Sequence, residues 1–257
     1  MSANNISKEN IEIYLNAFAE EYKKTRKNND KLNIIIVGGG SILLNYKFRK
    51  ATNDIDYSGE KKDTIDKAII KVASQNNLRN DWLNNDFEKS PSYSEKLKTV
   101  SEPYKEIGNV LQINTVKSEY LIAMKLLSFR IHKHDLSDIA GILWEKEKDN
   151  QPIIKDNIEK AVTELYGGMN ILKNEAVNLL NNLYLNHNYE KDYFILEKRE
   201  TEIIKQQQKI TKDSLNKFED ISEDEVQRKA NEKVKKMFEK EDNLLFKKRE
   251  EQKYQID

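Results

Sequence analysis

The chain contains no cysteine, which excludes disulfides, thiol nucleophiles, cysteine-based zinc sites and iron–sulfur clusters. Its three histidines, His132, His134 and His187, are too few for a three-histidine metal site unless distant segments converge. Glycine and proline are scarce, with eight and three residues in 257, all at or before Gly168. The last third therefore lacks the residues that most often interrupt helices. Neither sign of charge is in excess, since 44 Lys+Arg balance 44 Asp+Glu, so no global field holds nucleic acid. Any nucleic-acid partner must meet a local basic surface. Long aliphatic runs are absent and Met1–Asn5 is polar, so neither a membrane span nor a leader is expected, and a cytoplasmic protein without a membrane partner is. Charged residues make up 34% against roughly 25% in ordinary domains, so part of the chain must lie outside a core.

Ile11, Tyr14, Leu15, Phe18 and Tyr22 fall at helical spacing and predict an opening helix over Ser7–Lys27, with Ser7 as N-cap. Leu32–Val37 is a β-branched run suited to a strand buried on both faces. Next come a short helix over Ser41–Tyr46, a second strand over Asp54–Tyr57 and a helix over Lys62–Asn76. A third strand over Asn109–Val116 is followed by helices Ser118–Arg130 and Asp135–Lys148, joined by the turn His132–His134. This alternation predicts an α/β (α+β) fold, a small mixed sheet with flanking helices, over residues 1–148. Residues 149–257 read as an all-helical C-terminal region: Asn170–Leu185, Tyr189–Phe218 and Ser222–Tyr254, the last opened by a capping box of Ser222 and Glu225.

The chemically informative stretch is Val37-Gly38-Gly39-Gly40-Ser41, followed by Asp54-Ile55-Asp56. Glycines between a buried strand and a helix let the backbone approach a phosphate, and the helix start supplies free N–H groups. The alternative is a glycine turn that only packs the helix tightly on the strand. The pattern is neither a Rossmann nor a Walker motif, because neither the third fingerprint glycine nor a Gly-Lys-Ser/Thr is present. On a strand, Asp54 and Asp56 project from one face while Ile55 packs inward. Like charges so placed are costly unless neutralised; the alternative is a solvated strand end. Hard oxygen ligands without nitrogen or sulfur select Mg²⁺ or Mn²⁺, and such a pair beside an anion-binding helix start suits phosphoryl or nucleotidyl transfer.

Gly-Gly-x-Ser followed by Arg49-Lys50-Ala51-Thr52-Asn53-Asp54-Ile55-Asp56 resembles the signature of the polymerase-beta-like nucleotidyltransferase superfamily, nearest to AbiE-type abortive-infection and toxin nucleotidyltransferases. A second segment, Glu119–Arg130 and then His134-Asp135-Leu136-Ser137-Asp138-Ile139, is similar to the group's helical element carrying Lys, Arg and an Asp-x-x-Asp. The resemblance spans Leu32–Leu143. It implies that Gly38, Gly39, Gly40 and Ser41 line the triphosphate and that Asp54 and Asp56 hold the metal. It further implies that Lys125 meets the triphosphate, and that Arg49, Thr52, Arg130, Asp135 and Asp138 belong to the nucleotide site. Lys125 also reads as a lysine snorkelling from an apolar stripe, and Asp135 as the N-cap of the next helix. The resemblance implies an enzyme moving a nucleoside monophosphate from an NTP to a hydroxyl of RNA, such as tRNA, or of protein, in a toxin–antitoxin or phage-defence setting. The competing reading is a weakened nucleotide-binding regulatory module, because Gln112 and Asn114 stand where many members carry a third carboxylate. Asp135, Asp138 or Glu106 would have to substitute, or the site has two carboxylates only.

Trp82, flanked by apolar residues, reads as core ahead of a base-stacking platform, and the His132–His134 turn as solvated ahead of metal-binding. Residues 198–257 hold 16 Lys+Arg and 15 Asp+Glu, which narrows any apolar stripe. Such helices gain stability by docking, on the core or on an antitoxin or other protein. Alternatively Arg228, Lys229, Lys233, Lys235 and Lys236 guide RNA, against the interspersed Glu225, Glu232 and Glu239.

Overall fold

A computed structural model of the protein describes residues 5–27, 30–215, 225–226 and 228–233. The strands are β1 (Ile6–Ser7), β2 (Leu32–Ile36), β3 (Ala51–Thr52), β4 (Ile55–Gly59), β5 (Leu83–Asn84), β6 (Ser101–Ile107) and β7 (Leu111–Val116). The helices are α1 (Ile11–Thr25), α2 (Gly38–Asn45), α3 (Asp63–Asn76), α4 (Ser118–Ser128), α5 (Asp135–Lys148), α6 (Lys155–Tyr166), α7 (Asn174–Asn186) and α8 (Tyr189–Leu215). Five strands form a mixed sheet in the order β5-β4-β2-β7-β6, while β1 and β3 form a separate two-stranded ribbon. The β2–β7 and β4–β5 pairs are parallel; β2–β4 and β6–β7 are antiparallel.

Strand alternation divides the sheet into two faces. Leu32, Ile34, Ile36, Ile55, Tyr57, Leu111 and Ile113 join Ile11, Leu15 and Phe18 of α1 and Ile65, Ile69 and Val72 of α3 in one apolar core. Trp82 belongs to that core, fully buried, with its indole N–H donating to the Ile69 carbonyl at 3.1 Å and its ring edge-on to Tyr14 at 6.0 Å. The pairing register puts Asn33, Ile35, Asp56, Ser58, Gln112 and Asn114 on the opposite face.

The expected α/β core with a helical C-terminal part is present, with local differences. Ser7 caps no helix. It pairs with Ala51 in the ribbon, and its N–H donates to Asn10 Oδ1 at 2.7 Å, so the chain turns there and α1 opens at Ile11. β2 is not buried along its whole length, because Asn33 is exposed on the second face. The glycines form the first turn of α2 instead of preceding it. Strand β6 was not anticipated: it is an edge strand, half or fully exposed throughout and interrupted by Pro103, so it carries no apolar alternation. Helix α6 was also missed. Most of the helix expected over Ser222–Tyr254, including Ser222, lies outside the described residues; 225–226 and 228–233 are helical, with Val226 and Ala230 buried.

The chain divides into two compact units, Met1–Phe129 with Asp138–Tyr193, and Arg130–Ser137 with Phe194–Asp257. In the second, Ile203 packs with Ile131 and Ile210. Glu200, 1% exposed, accepts the N–H groups of Leu136 at 2.9 Å and Ser137 at 3.0 Å. A side chain from α8 thus caps the first turn of α5. Among the described residues no helix is long and apolar enough to cross a membrane.

Candidate active site

The end of β2 and the start of α2 shape the candidate site. Val37, the N-cap residue, is extended at φ −121° and ψ −179° and its own side chain makes no capping hydrogen bond, and Gly38 takes φ +58°. The first-turn N–H groups of a helix have no intrahelical partner, and they carry the positive end of its dipole. Gly39 allows a close approach, since a side chain there would meet Thr52 Oγ1 at 2.8 Å and Arg49 Nη2 at 3.5 Å. Gly40 serves packing, with both Ile36 and Ile55 methyls at 3.0 Å from where a Cβ would stand. Ser41 is fully buried and its hydroxyl has no hydrogen-bond partner among the described residues, which costs roughly 1–3 kcal/mol.

Asp56 lies in β4, with Asp54 just before it; both are half-buried, and Ile55 between them is fully buried as expected. The Val37 N–H donates to the Asp56 carbonyl at 3.0 Å, tying the start of α2 to this part of β4. A side chain at Gly38 would stand 3.4 Å from Asp56 Oδ2, so the carboxylate lies against the helix start. Among the described residues no group of three or more His, Asp or Glu converges on a metal position. Mg²⁺ is commonly held by one or two carboxylates plus substrate phosphates. Asp54 and Asp56 therefore fit an ion whose shell a nucleotide completes.

Beside the glycines lies an ion cluster. Arg49 Nη1 donates to both Asp138 oxygens, at 2.7 and 2.8 Å, and Lys125 Nζ donates to Asp138 Oδ2 at 2.7 Å. Lys125 and Asp138 are 5% and 1% exposed. The segment leading to Arg49 is clamped onto α5. The backbone N–H groups of Lys47 and Phe48 donate to Glu145, and the Phe48 ring lies so close to Gly141 that a side chain there would come within 2.7 Å. Phe48 also meets Tyr193 edge-on at 5.2 Å. Lys8 Nζ donates to the carbonyls of Leu44 and Tyr46 at the end of α2, and burial lowers its pKa. Burial pushes the Tyr46 phenol up to about 12, where it shares a hydrogen bond with Ser118.

The structure thus brings together Gly38, Gly39, Gly40, Ser41, Arg49, Thr52, Asp54, Asp56, Lys125 and Asp138 in one unit. Arg130 and Asp135 belong to the other unit, where Asp135 accepts the Arg130 backbone N–H at 2.9 Å and its Nε–H at 3.0 Å. Of the carboxylates considered for a third position, Glu106 pairs across the sheet with Gln112 and binds Lys31 at 2.8 Å. Asp138 has both oxygens engaged. Gln112 and Asn114 donate to the Ile113 and Ile34 carbonyls. The sequence reading did not single out Glu145, Gly141 and Phe48, nor Glu88, which accepts the Ser58 hydroxyl at 2.9 Å and the Gly59 N–H at 3.1 Å. Nothing local marks them, because each works through a partner far along the chain.

Residues 14–167 match the family described as "Nucleotidyltransferase of unknown function (DUF6036)", over more than half of the chain, and the chain belongs to that family. No curated protein and no solved structure matches it.

Proposed function

We propose that this member of a nucleotidyltransferase family is a metal-dependent enzyme that moves a nucleoside monophosphate from an NTP to an acceptor hydroxyl and releases pyrophosphate. The observation that carries this reading is the Asp56 carboxylate lying against Gly38 at the start of α2. The first-turn N–H groups of α2 receive phosphate oxygens, and the partnerless Ser41 hydroxyl is a further donor beside them. Arg49, next to Gly39, supplies positive charge for the triphosphate. Asp54 and Asp56 hold Mg²⁺ or Mn²⁺, which when bound neutralises charge on the phosphates and polarises the α-phosphoryl group. Lys125 acts at one remove, as the second cation on the Asp138 carboxylate that orients Arg49.

The likeness to AbiE-type enzymes supports a hydroxyl of RNA, tRNA in particular, or of protein as acceptor, in a cytoplasmic toxin–antitoxin or phage-defence setting. An antitoxin or other protein partner would then dock on the C-terminal helices. The test incubates the protein with each α-³²P-labelled NTP, Mg²⁺, total cell RNA and total cell protein. A labelled RNA or protein band with stoichiometric pyrophosphate is the expected result; no label with any NTP overturns the reading. Gln112 and Asn114, amides on the sheet face that carries Asp56, favour a second reading as a nucleotide-binding regulatory module. Saturable NTP–Mg²⁺ binding by calorimetry without any transfer supports that alternative.

A further inference from the structure

Transfer to a hydroxyl requires a group that takes the acceptor's proton, and carboxylates engaged with a cation are poorly suited to that task. The second face of the sheet carries one more carboxylate. Glu88 sits in the turn Asp86–Lys89 after β5, half-buried, and its Oε1 accepts both the Ser58 hydroxyl and the Gly59 N–H. Ser58 and Asp56 are alternate residues of β4 and project from the same face, about 7 Å apart along the strand. Glu88 is therefore anchored one strand step from Asp56. It joins no group of three or more His, Asp or Glu among the described residues.

The anchor is firm and leaves one oxygen available. Neighbouring residues secure the segment: Phe87 meets Tyr93 edge-on at 6.0 Å, and the Tyr166 hydroxyl of α6 donates to the Ser92 carbonyl at 2.7 Å. Oε2 of Glu88 makes no hydrogen bond or ion pair among the described residues. We propose that Glu88 is the general base of the transfer, an inference that rests on the nucleotidyltransferase reading above. The acceptor oxygen forms its bond to the α-phosphorus as its proton passes to Glu88 Oε2. The bond from the α-phosphorus to the bridging oxygen breaks, pyrophosphate leaves with the electron pair, and Glu88 then releases the proton to water.

Glu88→Gln separates this role from a structural one, because the amide oxygen still accepts from Ser58 and Gly59. The assay uses α-³²P-labelled NTP, Mg²⁺ and total cell RNA and protein, with Asp56→Asn alongside. The expected result is a fall in kcat of about 100-fold or more, with the NTP KM, NTP–Mg²⁺ affinity by calorimetry and the thermal midpoint all unchanged. Glu88→Asp, which keeps the carboxylate on a shorter stem, is expected to recover part of the rate. Activity of Glu88→Gln within threefold of wild type, while Asp56→Asn is inactive, overturns the proposal and leaves the parent reading standing. A rate loss matched by an equivalent fall in thermal midpoint also overturns it. Absence of transfer by the wild type overturns the parent reading and this inference with it.

Discussion

Asp138 and the pair Asp54 and Asp56 are carboxylates of one compact unit, held in opposite ways. Asp138 is almost wholly buried and receives hydrogen bonds from Arg49 and Lys125. Asp56 in β4 and Asp54 just before it are half-buried, and Asp54 makes no side-chain hydrogen bond or ion pair among the described residues. Burying a charge is tolerated only when it is paired, so the protein itself accounts for Asp138. Two like charges so close in sequence are unfavourable until a cation reaches them, and Asp54 meets none among the described residues.

The difference between the two sets is tested most directly at the pair. Asp54→Asn and Asp56→Asn are each expected to lower transfer by about 10³-fold or more, equivalent to roughly 4 kcal/mol of transition-state stabilisation. The thermal midpoint of Asp54→Asn should be unchanged or higher, because a repulsion is removed. Activity close to wild type in either variant, measured by label transfer, would return the pair to a solvated strand end. Asp138→Asn should show the reverse balance. Leaving Lys125 buried beside a neutral partner is expected to cost about 3–5 kcal/mol of stability, read from urea unfolding. A variant as stable as wild type would show that the ion cluster is not structural.

Gly39→Ala probes the ground between the two sets. Its methyl would meet Thr52 Oγ1 at 2.8 Å, and overpacking of this kind costs about 1–3 kcal/mol. Thr52→Ala added to it should relieve most of the loss, and a double variant no more stable than Gly39→Ala would place the strain elsewhere. In the second unit, Glu200→Ala should cost about 1–2 kcal/mol by uncapping Leu136 and Ser137. Amide exchange at those two residues should rise selectively, and unchanged protection would refute the cap. The smallest effect is expected at His132, whose pKa is lowered by burial and then by Lys133 and Arg130. The folded state takes up this proton less readily than the unfolded state. The corresponding stability is complete above the ordinary histidine pKa of about 6.5 and is lost as pH falls through that value toward the lower folded pKa. His132→Gln should flatten this part of the profile, and an unaltered slope would assign it to other groups.

Leu32–Ile36, Ile55 and Trp82 were legible in the sequence because burial follows from side-chain type and period. Gly38, Asp54 and Asp56 were legible because their spacing implies a shared location at a strand end. β6 was not, since an exposed edge strand need not alternate. Ser7 was misread because a cap and a β-bridge can use the same residue type, and the choice depended on Ala51, far along the chain.

The alternation of strands and helices and the glycine-led start of α2 are properties of neighbours within a few residues, and the amino-acid order alone specifies them. Which partner each of these charges meets was decided by packing in three dimensions. The fold turned Lys125 and Arg49 onto Asp138, placed Glu145 under the Lys47 and Phe48 backbone, brought Glu200 to the start of α5 and hung Glu88 beside Ser58. A charge or hydrogen-bonding group in the interior must find a partner wherever the fold brings one. The sequence separations of these contacts, 13, 89, 98, 97, 64 and 30 residues, leave no local pattern to read.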